Sequence, residues 1–217
     1  GQTRAPSGVY RSVSAGSSHT CGVLESGTVK CWGLDKAGQT RAPSGVYRSV
    51  SAGGLHTCGV LESGTVKCWG RNVEGQSSAP SGVYRSVSAG DSHTCGVLES
   101  GTVKCWGLDK YGRTRAPSGV YRSVSAGSSH TCGVLESGEV KCWGTIGLNG
   151  RPNPRIITAP AGVFQSVSAG GGYTCGVTQS GTVKCWGNDL YGRTRAPSGV
   201  FRSVSAGDEH TCGVTQS

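Results

Sequence analysis

His19-Thr20-Cys21-Gly22-Val23-Leu24-Glu25-Ser26-Gly27-Thr28-Val29-Lys30-Cys31-Trp32-Gly33 is the stretch that decides the fold of this chain. It recurs almost letter for letter from His56, His93 and His130. A variant begins at Tyr173, and the first half begins again at His210. Val, Thr, Cys and Trp alternate with other residues on either side of a central Ser-Gly, which is the pattern of a β-hairpin. Glu25-Ser26-Gly27 suits a three-residue loop with Gly27 in the left-handed conformation. Such a loop sets Leu24 opposite Thr28, Val23 opposite Val29, Gly22 opposite Lys30 and Cys21 opposite Cys31. The two cysteines then share one face with the two valines. Opposed cysteines meet the distance demand of a disulfide best at a non-hydrogen-bonded pair, where the strands come closest. The same register predicts Cys58–Cys68, Cys95–Cys105, Cys132–Cys142 and Cys175–Cys185, and leaves Cys212 unpaired. A metal site is the rival reading. Two cysteines with nine residues between them, one His and no CxxC are poor zinc spacing, so neither a metal site nor a cofactor is expected.

Outward from the hairpin, the chain is a series of copies. Residues 1–37, 38–74 and 75–111 are repeats of 37 residues. The fourth, 112–154, carries six extra residues within the stretch Thr145 to Arg155. The fifth, 155–191, is in phase again from Ala159-Pro160, and the sixth, 192–217, stops where its hairpin should turn. A fixed period of this size indicates a solenoid or a propeller. Within one unit, Ala5-Pro6-Ser7-Gly8 is turn chemistry, and Val9 to Ala15, Thr20 to Leu24 and Thr28 to Trp32 read as strands, with no helix signal anywhere. A three-stranded meander cannot bury both faces alone, but it can when packed radially against its neighbours. Ser14, Ala15, Gly16 and Gly22 suit crowded inner strands, and Trp32 suits packing between units near the rim. A β-helix is the structural rival. Its lack of tight hairpins sets it against the cysteine-bridged pattern. The expected fold is all-β: one β-propeller domain over 1–217, with about six blades, mostly three-stranded and antiparallel, each with a hairpin disulfide.

Composition bounds the rest. The 217 residues include 38 Gly and 11 Cys, no Met and only two Phe, and hydrophobic residues are 35%. One central core of large side chains is not expected; thin layers side by side are. Absence of Met marks a processed chain or a fragment, and neither a signal peptide nor an apolar run of membrane length is seen. Repeated cysteine pairs imply an oxidising compartment, so an extracellular, secreted location is expected. The net charge of +9 is periodic: Arg4, Arg11, Lys30 and Lys36 recur against Glu25 and Asp35. This reads either as solvated edges and loops or as a basic surface for anionic partners. The basic residues are evenly spread without a nucleic-acid motif, so nucleic acid is not an expected partner.

The pattern Val-Ser-Ala-Gly-x-x-His-Thr-Cys-Gly-Val, followed by Ser-Gly-Thr-Val-Lys-Cys-Trp-Gly-x-Asn/Asp-x-x-Gly-Gln/Arg, resembles the RCC1-type repeat (regulator of chromosome condensation) over essentially the whole chain. The likeness is nearest to the shorter, secreted bacterial-type versions. It implies a propeller and says little of function, because the fold is a scaffold. Nuclear members act as nucleotide-exchange factors or chromatin binders, roles that paired cysteines disfavour. A secreted propeller-type β-lactamase inhibitor protein is similar in architecture and acts by binding a protein.

Three readings stand for the sixth unit and for Cys212: a longer chain, an open edge capped by a second molecule, or a buried free thiol. An open edge is a pairing hazard and admits a dimer. His19, His56, His93, His130 and His210 recur at one position that Tyr173 takes in the fifth unit. A catalytic residue is needed once, so these are expected to bond loop backbone between blades. Glu25 and its copies read as solvated turn residues, and Gln179 and Gln216 hold the same slot. No catalytic motif stands out, so an enzyme is not expected.

Near-identical units offer multivalent binding. The loops after each Trp carry an aromatic face with polar side chains. The sets are Trp32, Asp35, Lys36 and Arg41; Trp69 and Asn72; Trp106, Asp109, Lys110, Tyr111 and Arg115; and Trp186, Asn188, Asp189, Tyr191 and Arg195. Read as ligand sites, they make the protein a secreted lectin for a carbohydrate or glycoconjugate. Read structurally, the Trp is buried and the Asp or Asn fixes the turn into the next blade. The alternative function is a protein-binding propeller, an inhibitor or adhesion module, for which the inserted stretch Asn149 to Ile157 offers a unique contact loop.

Overall fold

The structure, a computed structural model, describes residues 4–144 and 153–216. Among the described residues are five three-stranded antiparallel sheets and one of two strands, each in sequence order. The first three sheets are β1 (Tyr10–Ala15), β2 (His19–Leu24) and β3 (Val29–Gly33); β4 (Tyr47–Ala52), β5 (His56–Leu61) and β6 (Val66–Gly70); and β7 (Tyr84–Ala89), β8 (His93–Leu98) and β9 (Val103–Gly107). Next come β10 (Tyr121–Ala126), β11 (His130–Leu135) and β12 (Val140–Gly144), then β13 (Phe164–Ala169), β14 (Tyr173–Thr178) and β15 (Val183–Gly187). The last sheet is β16 (Phe201–Ala206) and β17 (Thr211–Thr215). The chain divides into two compact units, Gly1–Ser100 with Lys104–Leu108 and Gly101–Val103 with Asp109–Ser217.

In the first unit the hairpin has the expected register: Val23 faces Val29, Gly22 faces Lys30 and Cys21 faces Cys31. The turn closes through Gly27 at φ 83°, with Leu24 N–H donating to Thr28 O at 2.9 Å. The Cys21 and Cys31 Cα atoms are 4.0 Å apart and bridged, as are Cys58–Cys68 and Cys95–Cys105. β1 carries an irregularity between Tyr10 and Ser12, where the register with β2 shifts by one residue. This bulge turns Arg11 sideways, and its guanidinium donates to the Tyr47 carbonyl of the next sheet and to Glu62 at 3.3 Å. Arg48 repeats the arrangement toward the Tyr84 carbonyl and Glu99. Glu62 and Glu99 are therefore partners of the preceding sheet rather than simply solvated turn residues. Lys30 is likewise tied, donating to Ser7 O at 2.8 Å.

Sheets pack face to face through small residues. Ala52 N–H donates to Ser14 Oγ and Ala89 N–H to Ser51 Oγ, each at 3.0 Å. A Cβ added at Gly53 would lie 2.3 Å from Gly90 O, a backbone atom that cannot swing away. Gly53→Ala is therefore expected to wedge the second and third sheets apart, at a cost of about 2 kcal/mol or more. A lowered urea midpoint at unchanged slope checks this; an unchanged midpoint would show slack between the sheets. The larger groups collect in one layer per interface: Cys21, Val23, Val29, Tyr47 and Trp69 form one cluster, and Cys58, Val60, Tyr84 and Trp106 the next. Each Trp meets a Tyr edge-on, or Phe164 in the case of Trp186, with the Tyr47 and Trp69 ring centroids 6.0 Å apart. Packing of the Trp between units is thus as expected.

The second unit repeats this plan. Cys132–Cys142 and Cys175–Cys185 are bridged, and Cys132, Val134, Phe164 and Trp186 form a layer. Two expectations are corrected here. A helix does occur: Asn153 caps Pro154–Ile157 (α1) by accepting from Arg155 N–H at 3.1 Å, and Pro154 starts it with φ pre-set. Short 3₁₀ turns also form at Lys110–Gly112 and Leu190–Gly192. Cys212 is free but exposed, which removes the buried-thiol reading. Most of the inserted stretch, residues 145–152, lies outside the described residues.

Candidate functional site

Antiparallel meanders place the β1–β2 connection and the loop after β3 at one end of each sheet, and the hairpin turn and the approach to β1 at the other. The recurrent His lies at the first end, at the start of the middle strand. His19 Nε2 is 2.7 Å from Thr57 Oγ1 of the next sheet, and that hydroxyl donates to Gln39 O at 3.0 Å. Having given its one proton to a carbonyl, the Thr57 hydroxyl must accept from the imidazole. His19 therefore carries a proton on Nε2. Trp69 Nε1 donates to the same Gln39 carbonyl at 2.8 Å. His56, Thr94, Gln76 and Trp106 repeat the chain of bonds. In the second unit His130 Nε2 meets Thr174 Oγ1 at 2.8 Å, and Trp143 donates to Arg113 O. Ile156 O accepts from Trp186 Nε1 at 3.1 Å, so the end of the inserted segment rebuilds the same hub.

His210 is exposed, whereas His19, His56 and His130 bond between sheets as expected. Their partner, however, is a strand Thr hydroxyl, not loop backbone. Burial holds His19 below its ordinary range, with Asp35 pulling weakly the other way. Burial, assisted by His19, lowers His56 to about 4; burial, assisted by Arg113, lowers His130 to about 4. Tyr173 substitutes by donating to His210 O at 2.6 Å while touching Thr211 Oγ1 at 2.9 Å. The hub residues Gln39, Gln76 and Arg113 are the ones sequence reasoning missed as an interaction centre. Their signal was the Gln/Arg recurring after Gly in every unit but the fifth, where Ile156 stands instead.

The loops after the Trp hold the candidate ligand residues. Asp35 Oδ1 accepts from Thr40 N–H at 3.0 Å and Oδ2 from Arg41 Nε at 2.8 Å. Asp109 treats Thr114 and Arg115 in the same way, at 3.2 and 2.8 Å. Asp189 accepts from Thr194 N–H at 3.0 Å and lies 3.5 Å from Arg195. Asn72 accepts from Ser77 N–H at 2.9 Å and donates to Ser78 Oγ at 2.9 Å. The Thr40 N–H first, then its side chain and Arg41, lower the Asp35 carboxyl. For Asp109, burial pushes upward but the Thr114 and Arg115 bonds outweigh it; for Asp189 the Thr194 side chain leads. Each carboxylate thus fixes its turn while leaving the guanidinium outside: the Arg41, Arg115 and Arg195 side chains are 77–81% exposed.

The structure does not bring the Trp to this surface. Trp69, Trp106 and Trp186 are buried and Trp32 half-buried, so they add no aromatic face to the loops. Lys36, Asn72, Asn188 and Lys110 are exposed. The aromatic groups that are presented are Tyr111 and Tyr191, both held at positive φ (64° and 63°). Lys110 Nζ lies 5.2 Å from the Tyr111 ring centroid, and Tyr191 is 79% exposed. At the opposite end another repeated feature emerges, which the sequence reading placed inside a strand. Val9, Val46 and Val83 in the first unit, and Val120, Val163 and Val200 in the second, are 49–67% exposed. Val46 sits against Gly27 of the preceding hairpin turn, and Glu62 N–H donates to Val46 O at 3.0 Å.

Disulfide-stapled three-stranded blades with a shared hub define a β-propeller of repeated blades. The sequence model described as "Regulator of chromosome condensation (RCC1) repeat" matches residues 10–39, 47–76, 84–113, 121–150 and 164–193, and the chain belongs to that family. Among solved structures it is similar to the CRINKLY WD40 ectodomain of the Arabidopsis thaliana receptor kinase ACR4, at 28% identity and TM-score 0.78, covering 96% of this chain and 76% of that one. The entire ectodomain of the Physcomitrella patens receptor kinase CR4 is similar at 27% identity and TM-score 0.78, covering 97% of this chain and 59% of that one. Prp20p of Saccharomyces cerevisiae, described with its binding to Gsp1p and histones, shares the fold at 17% identity and TM-score 0.75, covering 96% and 69%. No curated protein sequence matches at a significant level.

Proposed function

We propose that this chain is an extracellular protein-binding scaffold. The observation that carries this reading is the half-exposed Val repeated at the hairpin-turn end of the sheets within each unit taken by itself, Val9, Val46 and Val83 in the first, set beside Glu of the turns. Apolar groups exposed in a regular array with a polar rim are the composition of a docking face. Five disulfides and the likeness to plant receptor ectodomains support the extracellular setting. The fold serves protein partners in Prp20p.

A second reading, a multivalent lectin, is favoured by one observation. Tyr111 and Tyr191 stand out from the post-Trp loops beside Lys110 and Arg195, a ring and cations offered in two blades of the second unit. Screening the purified protein against an extracellular protein library and a glycan array separates the two. The scaffold reading expects protein hits lost by at least tenfold in Val46→Asp/Val83→Asp and kept in Tyr111→Ala/Tyr191→Ala. The converse pattern, with glycan spots lost on removal of the tyrosines, would overturn it in favour of the lectin.

A further inference from the structure

Four sheets close their hairpin-turn end with a leucine, and the fifth does not. Leu24, Leu61, Leu98 and Leu135 end their middle strands half-buried. Each lies over a glycine of the segment that enters its sheet: a Cβ added at Gly8, Gly45, Gly82 or Gly119 would fall 2.6–2.7 Å from the Cδ2 atom of that leucine. In sheet five the same two places are held by Gly162 and Thr178, and Thr178 faces Phe164 as Leu24 faces Tyr10. A Cβ at Gly162 would meet Lys184 Nζ and Phe164 Cε2, each only at 3.5 Å, and not Thr178. The space that a leucine fills elsewhere is here a surface cavity of about 320 Å³, lined by Gly162, Val163, Thr178, Ser180, Thr182 and Lys184. All of these belong to the second unit.

A carboxylate is lost at the same place. The residue after the leucine is Glu25, Glu62, Glu99 or Glu136, but after Thr178 it is Gln179. Glu62 and Glu99 take the guanidinium of the preceding sheet, from Arg11 at 3.3 Å and Arg48 at 3.4 Å. Arg122 is the matching arginine of sheet four. It donates to the Phe164 carbonyl as Arg11 does to that of Tyr47, but with Gln179 in the acceptor's place no turn carboxylate answers it. Lys184 is a second cation here, its Nζ donating to Ala161 O at 2.8 Å. The hydroxyls of the lining are spent on one another. Thr178 Oγ1 donates to Thr182 O at 3.1 Å and lies 2.9 Å from Ser180 Oγ, which is 3.2 Å from Thr182 Oγ1. An aliphatic group therefore enters the cavity without stranding a hydroxyl, and a carboxylate beside it meets positive charge.

We propose that this cavity is a docking site for a leucine followed by a glutamate, carried on a separate polypeptide. The leucine fills the slot over Gly162 and Thr178, and the glutamate faces the arginine that Glu62 and Glu99 serve in the other sheets. The inference rests on the scaffold reading and names its partner's side chains, since Val163, 49% exposed, is both a wall of the cavity and one of the repeated valines. A single open slot beside slots closed by leucine also gives a partner one position on an otherwise repetitive surface, which is a source of specificity.

The test titrates the full 217-residue chain with a synthetic acetyl-Val-Leu-Glu-Ser-amide peptide, followed by amide and methyl NMR shifts. Saturable shifts at Gly162, Val163, Thr178 and Gln179 are expected. Alanine in place of the peptide's leucine should weaken binding by about tenfold or more, and glutamine in place of its glutamate by about threefold, at low salt only. Thr178→Leu/Gln179→Glu restores the residues of sheets one to four, so it should fold and lose the peptide shifts. Thr178→Val keeps the size of the floor and should bind as the native chain does. No saturable shift up to the peptide's solubility limit, equal binding of the leucine and alanine peptides, binding kept in Thr178→Leu/Gln179→Glu, or binding lost in Thr178→Val, which would mark a ligand for the hydroxyl, would each overturn the proposal. Protein hits that are lost in Val46→Asp/Val83→Asp but kept in Thr178→Leu/Gln179→Glu would overturn this inference alone. A peptide seated in the slot without any valine-dependent protein hit would overturn the scaffold reading alone.

Discussion

Reduction of the five hairpin disulfides is expected to unfold this protein under conditions in which the oxidised form is fully native. Each bridge spans a sequence separation of 10, and closing so short a loop in the unfolded chain is worth about 2–3 kcal/mol each. Even with imperfect additivity, five such terms total roughly 10 kcal/mol, which is comparable to the whole stability of a typical domain, about 5–15 kcal/mol. Little else compensates, because hydrophobic residues are only 35% of the chain and each core layer holds a handful of side chains. The inner cysteine of each pair is itself core: Cys21, Cys58, Cys95, Cys132 and Cys175 are fully buried. Thermal melting by near-ultraviolet circular dichroism, with and without a phosphine reductant, measures the effect. A fall of more than 15 °C, or loss of the transition altogether, is expected; coincident melting curves would show that burial between sheets suffices.

The hairpins, their register, the five bridges and the unpaired Cys212 were legible in the sequence because strand pairing has a period of two and a three-residue Gly turn fixes which residues meet. Inter-sheet chemistry was less legible, because it depends on residues 36 to 51 apart that no local pattern links. Arg11 reaching the Tyr47 carbonyl needs the bulge after Tyr10, and nothing in Tyr-Arg-Ser announces one. The direction of the Trp mattered most for the site. Its indole N–H is spent on Gln39, Gln76, Arg113 or Ile156, each a backbone carbonyl whose availability only the fold reveals. The post-Trp loops therefore keep their Asp–Arg pairs and lose their expected aromatic face, while the repeated Val gains exposure by resting on a neighbouring turn. The helix at Pro154 lay within reach of the sequence, since Asn-Pro is a start signal.

Acidification from pH 7 to 5 is expected to destabilise the protein through its buried histidines. His56 and His130 have no exposed surface and are held at about 4 in the folded chain, against about 6.5 unfolded. Their folded values are depressed, so between those limits the unfolded state binds more protons. Stability is then complete above about pH 6.5 and falls as pH drops toward 4, by up to about 1.4 kcal/mol per pH unit for each group. At pH 5 the two together amount to about 3–4 kcal/mol. The Asp–Arg loops act elsewhere: the carboxyls of Asp35, Asp109 and Asp189 are lowered from 3.8, so their contribution is lost only below that pH. Physical cause and remedy both lie in the hub. The His56 proton sits on Nε2 toward Thr94, while Nδ1 is buried with no partner, so a second proton has nothing to receive it. Sheet five already contains an alternative at this position, Tyr173, whose hydroxyl lies 2.9 Å from Thr211 Oγ1 with no imidazole present. His56→Tyr should therefore fold and reduce the pH 7 to pH 5 loss in urea midpoint by about half, and His56→Tyr/His130→Tyr should nearly abolish it. A pH dependence unchanged in the double variant would place the acid sensitivity outside the His–Thr hub.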